Sequence, residues 1–231
     1  MSEYHKIETL YVRDEKTHRL IEPLVLKNRI YGCLKSWHWT EKIDGTNIRI
    51  VWKDGALTIG GRTDNAQIHA DLIKWIYTHV TPDALNATFA EPAHVVLYGE
   101  GYGAGIQKGG GNYSPEKRLI LFDVKVIDGE GKGWWLADEN VRDIGAKLGL
   151  DVVPSFGEMS LEEATEMVRA GIPSRIAIVR GTMAEGLIGR PVEALFDKKG
   201  HRLIVKLKTK DFAAGSAARE LVGAPPPEPK P

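Results

Sequence analysis

The chain has 231 residues, 42% hydrophobic and 27% charged, the balance of one globular domain with a core large enough to need no disulfide or structural metal. Its single cysteine, Cys33, excludes an intrachain disulfide and a cysteine-based zinc cluster, and a reducing, cytoplasmic setting is the expectation. Thirty-one Lys and Arg balance 31 Asp and Glu, so any nucleic-acid site must be a local patch; no apolar run approaches the roughly 18 residues of a membrane span, and a monomer without a membrane partner is expected.

Residues 24–59 alternate apolar and polar in short bursts, which predicts antiparallel strands, with Asp54-Gly55 as a hairpin turn. From Asn65 to Val80, residues Ile68, Leu72, Trp75, Ile76 and His79 share one helical face, behind a cap at Asp64 and before Pro82. Strands follow over 94–100 and 118–126. The glycine-rich stretch Gly99 to Gly111 matches neither GxxxxGK[ST] nor GxGxxG and reads as a flexible loop, though Glu100 closes an apolar strand beside it, a common place for a ligand contact. Helices are expected from Asp138 to Leu148 and from the capping-box sequence Ser160 to Glu163 onward to Arg169; strands return over 184–190 and 202–208. The fold class is therefore α+β, mainly antiparallel β-sheets flanked by helices, with a domain over residues 1–220 and a Pro-rich mobile tail over 221–231.

The seven histidines lack metal-ligand spacing, and no GxSxG supports a hydrolase triad. The segment Glu41-Lys-Ile-Asp-Gly-Thr-Asn47 holds a Lys-x-Asp-Gly that alone is also compatible with a solvated turn and a snorkelling lysine. An ordered set continues it: Arg62 in GGRTDN, Glu100 in LYGE, Phe122-Asp123 in LILFDVKV, Glu185-Gly186 in AEGLIG, and Lys206-x-Lys208 in IVKLK. This series, from Lys42 to Lys208, resembles the covalent nucleotidyltransferases, the superfamily of polynucleotide ligases and mRNA capping enzymes, and most closely its ATP-dependent RNA ligase branch. DNA ligases and capping enzymes typically carry an arginine where this chain has Asn47.

The resemblance implies a nucleotidyltransferase domain of ligase type, here with no C-terminal OB-fold, that uses ATP as AMP donor with Mg2+ or Mn2+ and acts on RNA ends that are nicked, splinted or single-stranded. It implies Lys42 as nucleophile, with Asp44, Glu185, Lys206 and Lys208 in the catalytic set. ATP would be held by Glu41, Lys42, Ile43, Arg62, Glu100, Phe122, Lys206 and Lys208, with Phe122 on adenine, Glu100 on ribose and Asp123 in support. Asn47 and Arg62 would meet RNA, and Asp44, Glu100 and Glu185 would face the metal. A DNA ligase, a capping guanylyltransferase or a non-catalytic nucleic-acid-binding module remain alternatives.

The residue types suit this chemistry. A lysine attacks phosphorus only as the neutral amine, which at an ordinary pKa of about 10.4 is roughly one molecule in 2,500 at pH 7, so nearby cations and burial are required. Lys206, Arg62 and a divalent ion are the expected sources. Lys206 and Lys208 stand two apart on a strand and so share a face, while Leu207 turns to the core. Two cations on one face suit a triphosphate whose charge shifts to the leaving pyrophosphate.

Overall fold

A computed structural model describes residues 3–17, 20–89 and 94–212; the expected tail over 221–231 and the domain end at 220 lie outside the described residues. Among the described residues ten strands form two five-stranded sheets. The first runs in the order β1 (Glu8–Thr9), β10 (Val205–Lys208), β9 (Gly186–Pro191), β2 (Trp37–Lys42) and β8 (Ser155–Met159). The second runs β4 (Ala56–Gly60), β3 (Thr46–Lys53), β5 (His94–Tyr102), β6 (Arg118–Ile127) and β7 (Gly133–Trp135). Among these ten strands only β1 and β10 pair in parallel. The expected α+β class with antiparallel sheets holds, and no OB-type domain is present among the described residues.

Period-two alternation decides which face each strand buries. In β3, Ile48, Ile50 and Trp52 turn outward onto helices α1 (Ala70–His79), α2 (Pro82–Thr88) and α3 (Asp138–Leu148), meeting Leu72, Ile76, Leu85, Val141 and Ile144. On the first sheet, Trp37, Trp39, Leu187, Val205 and Leu207 pack against Leu161, Ala164 and Val168 of α4 (Leu161–Ala170). Each such aliphatic side chain contributes about 1.5–3 kcal/mol on burial. A Cβ on Gly189 would come within 2.6 Å of the Trp39 ring, so the indole occupies space that only glycine leaves. The inner faces of the sheets meet over Tyr4, Val51, Val96, Tyr98 and Ile204, and beyond this small shared core they part around a cavity.

Helix α4 carries the expected capping box, with the Ser160 hydroxyl accepting from the Glu163 amide and the Glu163 carboxylate accepting from the Ser160 amide. Asp54 and Gly55 both take positive φ, 51° and 73°, the twist a two-residue hairpin requires. Other expectations need correction. Within 24–36 the strand-like pattern is instead a 3-10 turn at Arg29–Cys33, started by the Asn28 side chain accepting from the Ile30 amide. Helix α1 begins at Ala70 with His69 as its cap, because Asp64, the expected cap, accepts from Arg49. The glycine stretch is a folded unit rather than a loose loop: β5 continues to Tyr102, a 3-10 turn forms at Gly110–Asn112, and the Ile178 and Val179 amides donate to the Asn112 carbonyl. Strands β1, β7 and β8 and helix α2 lie outside the elements that the sequence predicts.

Candidate active site

Strand register brings the two ends of the motif series together. Gly186 of β9 lies opposite Lys42 of β2 on one side and Lys208 of β10 on the other. Glu185, immediately before that glycine, therefore reaches both amines: Oε2 lies 2.5 Å from Lys42 Nζ and Oε1 2.6 Å from Lys208 Nζ. These two cations hold the Glu185 carboxyl below its ordinary range against the opposing effect of burial. Lys206 shares the face of Lys208, and its amine is lowered to about 8, first by burial and then by repulsion from Lys208 and Lys42.

The second sheet supplies the opposite wall. Asn47 of β3 and Glu100 of β5 are cross-strand partners, and both line the cavity with Lys42, Ile43 and Phe122. Burial pushes the Glu100 carboxyl up to about 8; Lys42 opposes this, while Glu185 and Asp44 add to it. Asp44 is itself raised, mainly by burial and then by Glu185. The sequence Asp44-Gly45 can pass this close to β5 only because Gly45 has no side chain; a Cβ there would run into the Gly101 carbonyl oxygen. The glycine unit braces the same turn, with the Gln107 amide donating to the Gly45 carbonyl at 2.9 Å.

Phe122 owes its position to an irregularity in β6. Tyr98 pairs with Asp123, but Gly99 pairs with Leu121, so Phe122 is the extra residue of a bulge. Consequently Phe122 and Asp123, adjacent in sequence, both serve the space between the sheets. Phe122 lines the cavity, and Asp123, fully buried, accepts from the Tyr4 hydroxyl at 2.8 Å, from Arg190 at 3.2 Å and from Arg202.

The remaining candidates divide. Glu41 also touches the cavity, but its buried carboxylate accepts from the Ser174 hydroxyl at 2.5 Å and the Arg175 amide at 2.9 Å, fastening the segment that leads to Glu185. Asn47 sits in the cavity wall and not on an outer rim, with Oδ1 buried and without a hydrogen-bond partner. Arg62 is exposed beyond β4 and is not part of the wall. The buried arginine of that region is Arg49, which donates to the Gly61 carbonyl at 2.7 Å and to Asp64 at 2.9 Å, and so anchors the loop carrying Arg62.

Among the described residues no group of three or more His, Cys, Asp or Glu side chains is placed to hold a metal ion. Asp44, Glu100 and Glu185 nonetheless repel one another, and such a set of hard oxygen donors fits a hydrated divalent cation shared with a substrate's phosphate oxygens. Tyr4, Thr40, Ile188 and Arg190 also line the cavity without having been singled out. For Ile188 and Arg190 the signal was available, since both lie two-apart on the strand read over 184–190.

The residue series and its geometry agree with the comparisons. The family model described as RNA ligase matches residues 35–208. No match is found among curated protein sequences. Several solved structures of a Naegleria gruberi RNA ligase share the fold. An apo mutant is 19% identical with a TM-score of 0.58, over 77% of this chain and 50% of that one. A mutant with ATP and Mn is 18% identical with a TM-score of 0.60, over 80% and 53%. The enzyme with PPi is 17% identical with a TM-score of 0.59, over 90% and 62%. The chain thus spans between 50% and 62% of the length of these relatives. A family match that opens just before β2, runs through Lys42 and Glu185 and closes on Lys208 leaves one assignment: this chain belongs to the RNA ligase family.

Proposed function

We propose that the chain is an ATP-dependent RNA ligase that joins 5′-phosphate and 3′-hydroxyl RNA ends through a lysyl-AMP on Lys42. The observation that carries this reading is the place of Lys42, between the Glu185–Lys208 pair on one sheet and the cavity of Glu100 and Phe122 on the other. A base in that cavity against Phe122, with its ribose toward Glu100 and Asn47, would direct a triphosphate to the face of Lys42, Lys206 and Lys208.

Three transfers then follow. Lys42 Nζ forms a bond to the α-phosphorus as the bond to pyrophosphate breaks; the AMP passes to an RNA 5′-phosphate, freeing the lysine; a 3′-hydroxyl attacks that phosphate and AMP departs. Glu185 orients the Lys42 amine and must give up its contact before attack. Lys206 and Lys208 offset the charge that grows on the leaving oxygens, and the lowered Lys206 amine is poised to yield a proton near neutral pH. A divalent cation, when bound beside Asp44, Glu100 and Glu185, would supply charge neutralisation for phosphates and carboxylates alike. Repair of broken RNA in a reducing, cytoplasmic setting suits this chemistry.

The relatives solved with ATP and Mn and with PPi support the choice of nucleotide and metal. Single-turnover sealing of matched RNA and DNA nicks carrying AMP on the 5′ end tests the substrate. Faster sealing of RNA without added ATP is expected; equal or faster sealing of all-DNA nicks would make the chain a DNA ligase.

A further inference from the structure

Arg190 and Ile188 both point from β9 into the space between the sheets. Arg190 Nη2 donates to the main-chain carbonyl of Phe122 at 3.1 Å as well as to Asp123 Oδ2 at 3.2 Å. The carbonyl contact has a structural reason. The extra residue of a bulge is left out of the ladder, and its buried polar groups need partners from elsewhere. A guanidinium, planar and with several donors, can serve a carbonyl and a carboxylate together, which an ammonium does poorly. Neutralising Asp123 does not require Arg190, because Arg202 and the Tyr4 hydroxyl also hold that carboxylate. What Arg190 alone adds is a link between β9 of one sheet and the bulge of the other, at the residue whose ring lines the cavity. The same ring meets Tyr4 edge-on at 5.1 Å, so its plane is held from the side while its backbone is held from below.

We propose that Arg190 is a positioning residue for nucleotide recognition: it fixes the β6 bulge across the sheet interface and thereby sets the plane of Phe122 against the base. The inference rests on the reading of this chain as a ligase whose Phe122 stacks on ATP.

The test follows the ATP dependence of covalent labelling by wild type, Arg190→Lys, Phe122→Ala and the double variant. Arg190→Lys keeps a cation for Asp123 and loses the shared contact. It should raise the ATP concentration for half-maximal labelling roughly tenfold, the size of one lost charge-assisted hydrogen bond, and leave the rate at saturating ATP within about threefold. In the Phe122→Ala background the same change should add less than about twofold, because Arg190 then has no ring to position. A full tenfold effect in that background, or a loss confined to the saturating rate, would overturn the inference. Should Arg190→Lys not fold, Arg190→Gln enters the same cycle, with thermal melting as its control. Wild type that takes no label at all refutes the ligase reading, whereas labelled wild type with additive variants refutes only the role of Arg190.

Discussion

Glu185 joins Lys42 to Lys208, one amine on each carboxylate oxygen, because Gly186 stands between the two lysines in the sheet. The three side chains are largely buried, between 17% and 21% exposed, so the cost of desolvating them offsets much of their attraction, and the pairs fix the amine's place more than they stabilise the fold. Glu185→Gln should therefore lower lysyl-AMP formation by about 10²-fold, the scale of losing one preorganised electrostatic group. Its melting temperature should fall by less than about 4 °C. Quenched labelling kinetics beside calorimetry check this; a collapsed fold would assign Glu185 a structural role instead.

Glu100 and Lys206 give the protein a stability profile with two limbs. The Glu100 carboxyl is raised by burial to about 8, so between its ordinary 4.5 and 8 the folded state holds more protons than the unfolded, and stability falls as pH rises through that window. The Lys206 amine is lowered by burial and neighbouring lysines to about 8, so between 8 and its ordinary 10.5 the unfolded state holds more protons and stability rises again with pH. Urea midpoints across pH 5–10 should flatten below pH 8 in Glu100→Gln and above pH 8 in Lys206→Met. An unchanged lower limb in Glu100→Gln contradicts the assignment.

At Gly45 the turn after Lys42 presses against the backbone of β5. Gly45→Ala forces a Cβ toward the Gly101 carbonyl, which is main chain and cannot swing aside, and overpacking of this kind destabilises by about 1–3 kcal/mol. The turn should lift, carrying Asp44 out of the site and Lys42 off Glu185. Labelling should drop at least tenfold with a folded circular-dichroism spectrum; wild-type labelling would show that the turn tolerates displacement.

On the proposed reading, Asn47 serves the nucleotide and Arg62 the RNA strand. The buried, unpartnered Oδ1 of Asn47 lies in the cavity wall opposite Glu100, so Asn47→Ala should raise the ATP needed for self-labelling several-fold. Arg62, exposed outside the wall, should be dispensable for labelling within about threefold, yet Arg62→Ala should weaken sealing and reduce its salt dependence, as expected of a phosphate contact. Reversed phenotypes would exchange the two roles.

Much of the frame is legible in the sequence, and the features that are not share a cause. Helices over Asp138–Leu148 and Leu161–Ala170 were legible because periodicity and a local cap act within a few residues. The shared face of Lys206 and Lys208 followed from the two-residue period alone. The residues around Arg29–Cys33 alternate like a strand, but local capping by Asn28 wins there. The start of α1 was misplaced because Asp64 is drawn to Arg49, fifteen residues back, and such long-range pairing leaves no local mark. The bulge that sends Phe122 and Asp123 into the same space is a matter of register between strands, invisible in either strand by itself. Placement of Asn47 in the cavity wall depends on its facing Glu100 across the ladder, which is likewise a property of pairing.

The most direct test of the account is incubation with α-32P-labelled ATP or GTP and magnesium or manganese, followed by a denaturing gel and peptide mapping. The account predicts an acid-labile, hydroxylamine-sensitive label from ATP in preference to GTP, mapped to Lys42, and absent from both Lys42→Ala and Lys42→Arg while the latter stays folded. Label that persists in Lys42→Ala, or that maps to Lys206 or Lys208 in the wild-type protein, would contradict it.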